Sequence, residues 1–111
     1  MTRAIIIHET KNDIEEIELD IDPTKNEIFK ILGGPQTFIG QWPDIDVVIL
    51  KSEVAKIPNL NTLAPPFHEE EILGKVLLIR MDINSDPRDF TIEEYVNFNS
   101  LGNIRDKSLS A

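Results

Sequence analysis

Residues 75–83 read KVLLIRMDI, and the reading of this run decides the fold. Val76, Leu77, Leu78 and Ile79 follow one another without a polar interruption. A strand with no wet side belongs where both of its faces are covered, so the spacing predicts a central strand. Immediately after it, residues 82–94 read DINSDPRDFTIEE. Asp82, Asn84, Asp86 and Glu93 fall at positions 1, 3, 5 and 12 of a calcium-loop pattern. An EF-hand loop, however, sits between two helices, and here a strand comes first. Its sixth position needs glycine, whereas Pro87 locks φ near −65°, and Asp89 occupies the eighth, normally apolar, position. The reading favoured is a turn at Asp86-Pro87 leading to a C-terminal helix, which Thr91 and Glu94 open in capping-box spacing.

On the N-terminal side of the central run, HEEEIL (68–73) is expected to form a short helix. Before it, AKIPNLNTLAPPF (55–67) holds three prolines and two asparagines and reads as a loop long enough to suggest a functional role. Further back, TFIGQW (37–42) and DVVILKS (46–52) read as a hairpin turning at Pro43-Asp44. In DPTKNEIFKILGGP, Asp22 can cap, Pro23 suits the first helical position, Ile28, Phe29, Ile31 and Leu32 form a stripe, and Gly33-Gly34 can terminate, predicting a helix over 22–34. The opening RAIIIHE and the segment IEEIELDI read as a first hairpin. Ile17, Leu19 and Ile21 lie on one face of the latter and Glu16, Glu18 and Asp20 on a solvated one. The sum is an α+β fold: a mainly antiparallel sheet of about five strands, a helix after the first hairpin and a C-terminal helix. Residues 1–101 make a single domain, and 102–111 a flexible tail.

Composition narrows the function. Eleven basic and twenty acidic residues give a formal charge of −9, which disfavours direct binding to nucleic acid or anionic lipid. The absence of cysteine removes disulfides, thiol nucleophiles and thiolate metal sites and suggests an intracellular setting. The four apolar residues Ala4 to Ile7 are too few for a signal-peptide core or a membrane span.

Candidate sites are sparse. His8 and His68 each precede a glutamate, but His8, on the first strand, points away from the Glu9 side chain, and no third group orients the His68 imidazole. His68 and Glu71, at helical i, i+3 spacing, read as a surface ion pair. No phosphate-cradling glycine loop or hydrolase elbow is present, so no catalytic residue, metal ligand or cofactor is expected. Trp42 can be a core residue or a surface anchor, with the core favoured. The best remaining candidate is a partner-binding surface on the proline-broken loop, comprising Asn59, Asn61, Pro65, Pro66, Phe67 and His68, with Trp42 beside it. A small enzyme or a ligand- or cation-binding cleft using Asp82, Asp86, His68 or Glu71, and an acidic decoy for a nucleic-acid-binding protein, are the alternatives.

The order AIIIHE, LGG, TFIGQW, VVILKSE, LNTLAPP, GKVLLIR and FTIEEY, from Arg3 to Phe98, resembles a domain-of-unknown-function family, number 3846, found in phages, plasmids and some large DNA viruses. Where that family often continues with Asn-Arg after the proline, this chain has Phe67-His68. The resemblance implies a small α+β protein of viral or mobile-element origin with no established activity. The function expected is noncatalytic binding of another protein.

Overall fold

The uninterrupted apolar run ends up between two neighbours. In the computed structural model, which describes residues 1–99, the strands are β1 (Thr2–Ile7), β2 (Ile14–Leu19), β3 (Gln36–Trp42), β4 (Val47–Ser52), β5 (Val76–Met81) and β6 (Pro87–Arg88). Helix α1 (Glu27–Leu32) lies between β2 and β3, and residues 92–99 form α2. The sheet order is β2-β1-β5-β4-β3 and every pairing is antiparallel. Leu78 of β5 faces Ile5 on one side and Ile49 on the other.

Alternation along the strands makes two cores. Ile5, Ile7, Val47, Ile49, Val76 and Leu78 point to one face, where Leu63, Ala64 and Ile72 of the long β4–β5 connection, Phe90, and Tyr95 of α2 cover them. Ala4, Leu19, Leu50, Leu77 and Ile79 point to the other, where Leu32 of α1 covers them. A strand clothed on both faces has no position for a polar residue until Arg80, and this is the physical content of KVLLI.

Three expectations are corrected. The helix expected over 22–34 occupies only Glu27–Leu32. Asp22 does not cap it, because its Oδ1 accepts hydrogen bonds from the Thr24 amide (3.0 Å) and hydroxyl (2.9 Å), closing a turn around Pro23 instead. Asn26 takes the cap position in the left-handed region with no side-chain bond. Second, HEEEIL forms no helix. Asn59 N donates to Ile72 O (2.9 Å) and Pro58 bridges Leu73, which draws the segment out against the loop, while Glu69, Glu70 and Glu71 stay in solvent. Third, the sheet has six strands. Pro87 begins the two-residue β6, a strand-initial position that proline tolerates, before the chain reaches α2.

At 1.5 Å per residue, α1 is about 9 Å long, whereas four strand spacings of about 4.8 Å make the sheet some 19 Å wide. The helix therefore covers only part of its face, and Phe38 on β3 is 60% exposed. The tail expected over 102–111 lies outside the described residues.

Candidate functional site

The β4–β5 connection has little regular structure, so its shape depends on side chains. Two asparagines supply it. Asn59 Nδ2 donates to Gly74 O (2.9 Å) and to Ile7 O (3.3 Å), bridging the carbonyls beside the adjacent ends of β1 and β5. Its Oδ1 accepts from the Asn61 amide (2.9 Å). Asn61 Nδ2 donates to His8 O (2.8 Å) and Thr10 O (2.9 Å), and its Oδ1 accepts from Asn12 N (2.7 Å) in the β1–β2 turn. Backbone bonds from Leu60 N to Glu9 O (2.8 Å) and from Gly74 N to Ile57 O (2.6 Å) complete the attachment. An asparagine offers donor and acceptor on one short stem, which lets a single side chain tie together backbone groups that no ladder reaches.

This pinned backbone leaves Ile57 and Leu60 63% and 64% exposed. Further along, Leu63 and Ala64 are buried and Phe67 packs over Gly40, where a β-carbon would stand 2.3 Å from the ring. Trp42 is 2% exposed; its Nε1 donates to Ala64 O (3.4 Å), and its ring meets Phe98 at 5.1 Å and Phe67 edge-on at 6.2 Å. The core role is the one this environment supports. Asn59, Asn61 and Phe67 are half-buried and occupied in holding the loop, Pro65 is half-buried, and Pro66 and His68 are exposed. The peptide bond between the two prolines is cis. Sequence reading passed over Ile57 and Leu60. Their signal is two large apolar residues flanking Pro58-Asn59 in a segment with no helical or strand period to bury them.

The corner after β5 is a hairpin turn. Asp82 Oδ1 accepts from the amides of Asn84 (2.9 Å) and Asp86 (3.0 Å), and Oδ2 pairs with Arg88 (2.8 Å). The Asp86 amide, with help from Arg88, holds the Asp82 carboxyl below the usual aspartate range despite some desolvation. Both carboxylate oxygens of Asp82, the first position of the calcium-loop pattern, are thus already occupied. Thr91 and Glu94 form the capping box: Thr91 Oγ1 accepts from Glu94 N (3.2 Å) and Glu94 Oε1 accepts from Thr91 N (3.2 Å). Glu16, read as solvated, accepts from the Ile92 amide at 2.9 Å and so receives the start of α2. His8 has Nε2 2.8 Å from Glu15 Oε1 across the first hairpin.

Asp82 borders the groove beside Phe38, whose walls include neither Asp86, His68 nor Glu71. Among the described residues no three His, Cys, Asp or Glu side chains are grouped to hold a metal ion. Burial pushes the Tyr95 phenol up to about 12, out of range for proton transfer near neutrality. Among the described residues no helix is long and apolar enough to cross a membrane.

A family model covering residues 5–98 matches this arrangement from the middle of β1 to the aromatic residue that closes on Trp42. The chain belongs to the family of unknown function DUF5880. DUF5880 is not the family number 3846 that the AIIIHE-to-FTIEEY pattern resembles. The match supports an uncharacterised domain and lends nothing to a viral or mobile-element origin. The pattern misled because its parts are strand-forming and turn-forming residues that many small sheets share. Comparison with curated proteins and with solved structures returned no match.

Proposed function

We propose that this DUF5880 domain is a noncatalytic intracellular module that binds another protein through the segment 56–68. The observation that carries the reading is the exposure of Ile57 and Leu60 on a backbone that Asn59 and Asn61 hold in place. A loop already ordered loses little conformational entropy on docking, so exposed apolar side chains there return more of their burial as affinity. Cysteine-free composition supports the intracellular setting.

The test compares proteins retained from the native host by the wild type, by Ile57→Ser/Leu60→Ser and by Phe38→Ser. The last removes an equally exposed aromatic residue from β3, outside the loop. Partners kept by Phe38→Ser and lost with the loop variant are expected. Equal recovery by all three proteins would sink the reading.

A further inference from the structure

In a chain of formal charge −9, the places where positive charge gathers are informative. The arginines of the described residues are neutralised: Arg3 lies by Glu16, Arg80 by Glu94 and Arg88 by Asp82. Lys30, Lys56 and Lys75 have no such partner within 4.0 Å among the described residues. These three line one pocket of about 260 Å³, between the C-terminal end of α1 and the start of the β4–β5 connection, with Glu9 the only carboxylate among its walls. Three ammonium groups against one carboxylate give this pocket a local excess of positive charge on an otherwise acidic molecule.

Ile57 is a wall of the same pocket and one of the two apolar side chains presented by the loop. The cationic pocket thus adjoins the exposed loop segment 57–60, whose Leu60 lines a neighbouring groove with Lys11 and Tyr95. We infer that this composite surface receives an extended segment of another protein in which acidic side chains stand beside apolar ones, the carboxylates entering the Lys30–Lys56–Lys75 pocket and the apolar residues covering Ile57 and Leu60.

Three features favour that occupant. The pocket is below the size at which whole small-molecule ligands are usually enclosed, and suits one or two side chains. Lysine ammoniums on flexible stems accept carboxylates without demanding one geometry, as a peptide-reading pocket requires. The exposed Leu60, three residues beyond Ile57, gives an extended chain seated in the pocket a second apolar contact.

This inference rests on the protein-binding reading above, and the experiment separates the two. A library of displayed random ten-residue peptides is selected on the wild type, and one enriched peptide is synthesised for affinity measurement against Ile57→Ser/Leu60→Ser and Lys30→Gln/Lys56→Gln/Lys75→Gln. The expected result is enrichment of Asp or Glu next to Leu, Ile or Phe. The lysine variant should bind roughly tenfold more weakly, as the loss of one or two surface ion pairs implies, and the lysine-for-glutamate version of the peptide should not bind. Enriched peptides that are neutral or basic, yet still need Ile57 and Leu60, overturn the acidic specificity and leave the protein-binding reading standing. Peptides indifferent to both variants, or no enrichment at all, overturn both. A parallel NMR titration with inorganic phosphate alone identifies the other occupant: saturation of the lysine pocket by phosphate without peptide enrichment marks a small-anion site and overturns peptide docking.

Discussion

Asn59→Asp exchanges atoms of nearly equal size and reverses what the side chain can do. In the native protein Nδ2 faces two carbonyl oxygens, Gly74 O at 2.9 Å and Ile7 O at 3.3 Å, while Oδ1 faces the Asn61 amide at 2.9 Å. Alanine at this position removes these three bonds and a fourth, donated by Asn61 Nδ2 to Oδ1 at 3.2 Å. Counting about 1 kcal/mol for each of the two short ones and less for the two long ones, the loss is about 2 to 3 kcal/mol, part of it the cost of stranding half-buried backbone groups. Aspartate keeps the bond from Asn61 but turns a carboxylate oxygen towards the two carbonyls. It should therefore cost more than alanine, by about 1 kcal/mol or more, although it preserves shape. Urea unfolding at pH 7 measures the order directly, and for a domain of this size the alanine variant should melt roughly 10 °C or more below the wild type. Lowering the pH to 4 should narrow the gap between aspartate and alanine, since a protonated carboxyl can again donate. A second readout is local: hydrogen exchange at the Leu60 amide, bonded to Glu9 O, should accelerate in both variants more than exchange within β5. If aspartate proves as stable as the wild type, or milder than alanine at pH 7, the assignment of Asn59 as the bridge between β1 and β5 is refuted.

Thr91→Ala should cost about 1 kcal/mol in chemical denaturation by opening the capping box, with the helical signal of residues 92–99 lost first. Gly40→Ala should cost about 1 to 3 kcal/mol because its new methyl meets the Phe67 ring, and Phe67→Leu in the same chain should recover part of it in thermal melts. The depressed Asp82 pKa contributes stability that is present above the unfolded aspartate value near about 4 and lost as pH falls through the folded one. The melting temperature should accordingly drop between pH 5 and pH 2, with a smaller drop in Asp82→Asn. With Asp82 already committed to Arg88 and two amides, millimolar calcium should leave the melting temperature unchanged; a calcium-dependent rise removed by Glu93→Gln would restore the cation-loop reading.

What the sequence disclosed was whatever a local period or a short-range motif could encode. KVLLI states that both faces of β5 are covered, and TFIGQW with VVILKS states a hairpin, because strands announce themselves through residues adjacent in the chain. The capping box was legible for the same reason, since Thr91 and Glu94 are three residues apart. What escaped depends on partners far away. Asp22 carries the chemistry of a helix cap and of a turn equally, and the Thr24 hydroxyl two residues on decided between them. HEEEIL has helical spacing, yet Ile72 and Leu73 are drawn to Asn59 and Pro58 more than a dozen residues earlier. Glu16 looked solvated because its acceptor role involves an amide 76 residues later. The loop was recognisable as unusual, but its exposed residues were not, since nothing local distinguishes Ile57, which faces solvent, from Leu63, which is buried.

The position of β5 in the sheet also sets the order in which this protein can come into being. A chain that has reached Ser52 has both outer hairpins, β1–β2 and β3–β4, but the strand that joins them begins only at Val76. Until then β1 and β4 each carry an unpaired inner edge beside apolar side chains, the kind of surface that recruits other chains into aggregates. Closure must bring Leu78 to Ile5 across more than seventy residues, so the loop-closure cost falls late and all at once, and refolding should be slow for so small a domain. Chains interrupted before Val76 would be hairpins without a common centre. The run that completes the sheet is thus also the kinetic gate through which every newly made copy has to pass.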